Sequence, residues 1–181
     1  MSDQTPTIGE PQDEFSLDAR ADLSLQDLVE QADFDQVHFF IQEGLDDDAI
    51  DVEASGADSE FALLPYEHDD NAIDCDTFDL VEAAGFEQAT LRDLINFAIE
   101  RPNIQREYDV IALDTLRTRR IYDDEPERQG ETVWTQNDRD KSICQWATGL
   151  SNLKKNRTLA PFEIYLDKVI RKDALLLVRK T

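Results

Sequence analysis

A mainly α fold is the class this sequence predicts, and three observations predict it. Apolar residues recur at three- and four-residue spacing in several windows, cap residues precede those windows, and Gly or Pro closes them. An α+β fold with a small hairpin is the second expectation, because several short apolar runs also read as strands.

Taken in order, residues 1–22 are polar and acidic and hold few large apolar groups. They lack the surface that would offset ordering entropy, so they read as a disordered acidic arm. Residues 23–76 read as an acidic region of helix and loop. Ser24 precedes Leu25, Leu28, Val29, Phe34, Val37 and Phe40 or Ile41, which fits one or two helices up to a stop at Gly44. An acidic loop follows; it lacks the alternating ligands, central Gly and terminal Glu of a calcium loop. "FALLPY" at 61–66 reads as a strand or a core anchor, and "EHDDNAIDCD" at 67–76 as another acidic loop.

Residues 77–181 read as a helical domain. Thr77 caps a short helix through Ala84, and Gly85 supplies a turn. A second helix from Glu87 to Glu100 buries Leu91, Leu94, Ile95 and Ala98, and Pro102 ends it. Asn103 opens a third helix through Ile104, Tyr108, Ile111 and Leu116, although "DVIALD" at 109–114 also fits a buried strand. "TVWTQ" at 132–136 reads as a strand. Ile143, Trp146, Ala147, Leu150 and Leu153 form an amphipathic stripe, another helix starts near Pro161, and residues 174–179 read as helix or strand.

The charge is bipolar. The net charge is -23, yet residues 1–90 hold 26 acids and one base, while residues 91–181 hold 15 acids and 17 bases. Salt adaptation would spread acidity over the whole chain, and here the second half is near neutral. Two distant cysteines, Cys75 and Cys144, make neither a zinc motif nor a disulfide framework. The first residues lack a positively charged and an apolar stretch, which argues against a signal peptide there. The longest aliphatic run, "ALLLV" at 174–178, falls far short of the ~20 residues that span a bilayer. The expectation is a cytoplasmic protein with no membrane partner.

Leu80, Ala84, Gly85, Phe86, Ala89, Thr90, Leu91 and Leu94, followed by Arg101-Pro102-Asn103, supply the offsets of two helices around a small turn. In this, residues 77–121 resemble the helix-turn-helix headpiece of the lactose-repressor family, with its Ala-Gly turn and Ala-Thr pair. The resemblance implies a second helix that enters the major groove. Gln88, Thr90, Arg92 and Asn96 would then face base edges, and Arg101, Arg106, Arg117, Arg119 and Arg120 would contact phosphates.

Phosphate loops, nucleophile elbows and zincin motifs are missing, and His38 and His68 are isolated, so neither catalysis nor a cofactor or metal is expected. Two readings remain. One is a small DNA-associated regulator whose acidic arm modulates binding. The other is an acidic inhibitor or adaptor, mimicking nucleic acid, that presents Asp46, Asp47, Asp48, Asp69 and Asp70 to a basic nucleic-acid-binding protein. A homodimer is open under either.

Overall fold

The computed structural model describes residues 7–46, 59–67, 75–121, 132–136, 145–153, 156–164 and 174–181. Its strands are β1 (Thr7–Ile8), β2 (Asp13–Ser16), β3 (Gln36–Val37), β4 (Glu60–Glu67), β5 (Phe86–Gln88), β6 (Val110–Ile121), β7 (Thr132–Gln136), β8 (Gln145–Leu153), β9 (Asn156–Ile164) and β10 (Leu175–Lys180). Its helices are α1 (Leu25–Ala32), α2 (Phe39–Asp46), α3 (Cys75–Ala83) and α4 (Leu91–Glu100), with a 3₁₀ turn at Ile104–Arg106. The strands form one mixed ten-stranded sheet in the order β1-β4-β10-β6-β8-β9-β3, with β2 on β4, β5 on β10 and β7 on β6. The mainly α expectation is therefore wrong; the fold is a strand-rich α+β one.

The centre of the sheet explains why. β10 pairs antiparallel with β4 and parallel with β6. Its Leu175 and Leu177 face one core and its Leu176 and Val178 the other. β4 divides likewise, with Phe61 and Leu63 against Ala62, Leu64 and Tyr66, and so does β6, with Val110 and Ala112 against Ile111 and Leu113. A strand covered on both faces needs a continuous apolar run rather than an alternating one. The three runs at 61–66, 109–114 and 174–178 meet that need. The first core also takes residues of α1 and α4 with Ile41 of α2, and the second takes Phe78 and Val81 of α3.

Two expected helices are strands for a related reason. β8 and β9 pair from Gln145↔Ile164 to Leu153↔Asn156, and residues 147–151 are all buried. Thr148, Gly149, Ser151 and Asn152 are poor helix formers, so the pairing overrides the three-residue spacing of Ala147 and Leu150. The helix expected from Pro161 begins inside β9. The helix expected from Asn103 shrinks to the 3₁₀ turn before β6.

Two helix N-termini, the expected one at Ser24 and an unexpected one at Thr90, form by capping boxes. Ser24 Oγ accepts from the Asp27 amide while the Asp27 carboxylate accepts from the Ser24 amide, and Thr90 and Asp93 repeat the arrangement on α4. The Thr90 cap moves the start of α4 from Glu87 to Leu91. Phe86–Gln88 instead pair with Lys180–Val178 of β10. A strand thus stands between α3 and α4, where a helix-turn-helix has only a turn. Gly85 takes the positive φ of 84° that ends α3.

The arm expected to be disordered is structured from Thr7 onward. β1 and β2 run antiparallel along β4, which makes them the edge of the sheet. Between Ile8↔Tyr66 and Asp13↔Leu63, five arm residues advance against three of β4, so the arm bulges by two residues. The bulge stands opposite Pro65, which has no N–H to offer, and Gly9 donates its amide to the Pro65 carbonyl at 3.0 Å. Phe15 and Leu17 enter the first core, where the Phe15 ring lies 5.5 Å from that of Phe97. Among the described residues no helix is long and apolar enough to cross a membrane.

We expect Phe15→Ala to lower the unfolding free energy by about 3 kcal/mol, read as a shifted urea midpoint. An unshifted midpoint would mean that the arm adds nothing to the fold.

Candidate functional site

α4 is buried all round from Leu91 to Ala98, polar residues included. The apolar face packs on the sheet; the polar ridge at Arg92, Asn96 and Glu100, spaced i, i+4 and i+8, receives the arm. Arg92 donates to the carbonyls of Arg20 (3.2 Å) and Leu23 (2.9 Å). Asn96 donates to the Ala19 carbonyl at 3.2 Å. Glu100 accepts from the Asp18 amide and from the Arg20 guanidinium, both at 2.9 Å. The next residue, Arg101, pairs with Asp13 and lies 4.1 Å over the Phe15 ring. The arm crosses α4 as a strap, held mostly through its backbone.

Arg157, at the start of β9, plays the same part at the other end. Its guanidinium donates to the carbonyls of Ala32 (2.8 Å), Asp33 (3.1 Å) and Ala98 (3.0 Å), and it lies 5.5 Å from the Phe34 ring centre. Those carbonyls end α1 and α4, where the helix dipole favours a cation. Gln105 ties in the β8–β9 pair, its amide donating to the carbonyls of Ser151 and Thr158 at 3.2 Å each.

The residues expected to read bases are thus placed elsewhere. Arg92 and Asn96 face the strap, with 9% and 1% of their surface exposed. Thr90 is a helix cap, and Gln88 is a half-buried residue of β5. Of the expected phosphate contacts, Arg101 is committed to Asp13 and Phe15. Arg106 is exposed in the 3₁₀ turn and has an interaction of its own. Arg117, Arg119 and Arg120 lie in β6, their side chains outside the described residues. At the other cations, Arg179 pairs with Glu87, and Lys180 reaches Glu14 at 2.6 Å and Glu60 at 3.5 Å. The Glu14 carboxylate holds the Lys180 ammonium above its ordinary pKa.

The acidic residues show the opposite pattern. Asp18, Asp22, Asp27, Glu30, Asp33 and Asp35 are all exposed along the strap, α1 and the turn into β3. Asp27 is held below the usual carboxylate range by its bonds to Ser24. Of the aspartates expected to bind a partner, Asp46 ends α2 with its side chain outside the described residues, and Asp47, Asp48, Asp69 and Asp70 lie outside them altogether. Residues 22–35 carried a signal in the sequence, a capped helix whose outer positions are acidic. The carbonyl-binding roles of Arg92 and Asn96 at the strap and of Arg157 at the helix ends carried none, because their partners are main-chain atoms 59 to 125 residues away.

Beyond α1, His38 donates its amide to the Leu159 carbonyl at 2.9 Å, and its ring lies 4.6 Å from that of Phe39. Phe39 is 57% exposed. Burial holds the His38 imidazole below its ordinary pKa. Among the described residues no group of three His, Cys, Asp or Glu is arranged to hold a metal. No protein family, curated protein or solved structure matches the chain.

We expect Arg92→Ala to destabilise the fold by about 1–3 kcal/mol, because two strap carbonyls lose their donor. Arg92→Lys should recover only part, since one ammonium does not span both carbonyls as the planar fork does. Urea unfolding of the two variants checks this. A second expectation concerns pH. The folded chain binds the His38 proton more weakly than the unfolded chain, so this contribution is whole above about pH 6.5 and is lost as pH falls through the lowered folded value. Stability measured from pH 8 downward should fall less steeply just below pH 6.5 in His38→Gln than in the wild type.

Proposed function

We propose that this is a non-enzymatic acidic binding protein, an inhibitor or adaptor that engages a basic surface of a partner protein. One observation carries the reading. Six described cations, Arg20, Arg92, Arg101, Arg157, Arg179 and Lys180, are bonded to carbonyls or carboxylates of the fold itself. The carboxylates of Asp22, Glu30 and Asp33 are exposed to water instead, and those of Asp18, Asp27 and Asp35 are exposed as well while each accepts a bond from the chain.

Duplex binding draws its affinity from Lys and Arg that neutralise phosphates, and cations consumed internally supply none of it. A surface that is net negative attracts a basic partner, speeds encounter and repels nucleic acid. Two cysteines with no disulfide framework suit a reducing compartment such as the cytoplasm.

A DNA-binding regulator gated by its arm is the weaker reading on energetic grounds. Lifting the strap to free Arg92 and Asn96 exposes Phe15 and Leu17, about 1.5–3 kcal/mol for each side chain. Together that is a large part of the 5–15 kcal/mol that holds a domain folded. An open arm is then a rare state, and DNA would have to supply the difference.

The test starts from the full chain as bait, with captured proteins identified and the best binder purified. Its affinity should fall steeply with salt and at least tenfold when Asp22→Asn, Glu30→Gln and Asp33→Asn are combined. Random duplex DNA should not bind at low salt. Duplex binding that weakens in Arg92→Ala would contradict the proposal and restore the regulator.

A further inference from the structure

The sheet ends at β3, next to the acidic face. β3 is last in the strand order and pairs in parallel with β9, Gln36 against Thr158 and Val37 against Leu159. In a parallel pair, alternate residues of a strand bond to the neighbour. His38 donates its amide to the Leu159 carbonyl at 2.9 Å, so Gln36 and His38 face β9, and the N–H and C=O of Val37 point away from it. Among the described residues, no strand pairs with β3 on that outer side. Such an edge is a template for an added strand.

The edge is flanked on both sides by groups that suit a basic segment. Before it, Asp33 and Asp35 are exposed, and the Arg157 amide holds the Asp35 carboxylate at 2.7 Å. After it stands Phe39, 57% exposed, with its ring 4.6 Å from that of His38. The His38 carbonyl accepts from the amides of Ile41 and Gln42, which fixes the turn that carries the Phe39 ring. A single exposed ring is ordinary by itself. This one lies at the junction of an open sheet edge and an acidic run. A strand advances about 3.3 Å per residue, so about five extended residues reach from Asp35 to Phe39.

We infer that β3 takes an extended, arginine-bearing segment of the partner protein as an added strand. Main-chain bonds to Val37 set the register of the segment, the Asp33 and Asp35 carboxylates attract its guanidinium groups, and the Phe39 ring gives one of them a face to lie on. The chain itself displays that last contact, since Arg101 lies over the Phe15 ring while it pairs with Asp13. A two-residue edge offers few main-chain bonds, so the flanking side chains carry much of the affinity. The inference rests on the acidic-binding reading above and adds where the basic segment is held and in what conformation.

The probe is a short peptide of alternating Arg and Val, compared with the same sequence N-methylated at every amide. Methylation keeps every charge and removes the N–H groups that a ladder needs. Both are titrated into the full chain at low salt. The plain peptide should bind about tenfold more tightly than the methylated one and should slow hydrogen exchange at the Val37 amide. Phe39→Ser, at an exposed position, should weaken its binding about tenfold and leave the urea midpoint in place. Equal affinity of the two peptides, or Val37 exchange unchanged by the plain peptide, would overturn the inference and leave the acidic reading intact. So would a Phe39→Ser chain that binds as its parent does. Binding of neither peptide would overturn both.

Discussion

The structure depends on a helix whose polar side is buried under its own chain. α4 presents Arg92, Asn96 and Glu100 on one ridge, and without the strap these groups would face a half-built interior. The strap supplies carbonyls and an amide at the right spacing, and its Phe15 and Leu17 complete the core beside Phe97. The polar and apolar parts are interdependent. The hydrogen bonds fix where the strap lies, and the aromatic burial makes holding it there favourable. Arg157 does the same for the far ends of α1 and α4.

That constraint decides what charge remains outside. An acid-rich chain with few cations has placed six of its described cations where backbone carbonyls or carboxylates need them. Arginine suits the task, since one planar fork spans two or three carbonyls and remains charged when buried. The carboxylates that have no such use stay in water along α1 and the strap, and their mutual repulsion is tolerated because solvent screens it. The surface that results is directional, and the acidic face is where a basic partner gains most.

The sequence made the local signals legible and concealed the distant ones. Ser24 marks the start of α1, which forms as expected, whereas the Thr90 and Asp93 box sets the start of α4 four residues after the expected Glu87. The apolar runs at 61–66, 109–114 and 174–178 were readable as strands, and they are the centre of the sheet. β8 and β9 were not readable, because apolar spacing at Ala147 and Leu150 fits a helix until the partner strand is known. The surroundings of the candidate site were hidden for the same reason. Arg92 and Asn96 at i and i+4 look like a solvated, base-reading helix face when their partners, the carbonyls of Ala19, Arg20 and Leu23, lie some seventy residues away. The arm's composition suggested disorder. Phe15 and Leu17 in the core, the Asp13 and Arg20 pairs and several main-chain bonds hold the arm residues in place.

Native-state hydrogen exchange decides whether the strap is part of the fold. The informative amides are those of Gln12, which donates to the Leu63 carbonyl, and Asp18, which donates to Glu100, compared with those of β10 at the sheet centre. Both strap amides should be strongly protected, opening only with a large fraction of the global unfolding free energy. Strap amides that exchange as fast as an unfolded peptide while β10 stays protected would contradict this expectation. The arm would then be a loose cover, and Arg92 and Asn96 would be available at the surface after all.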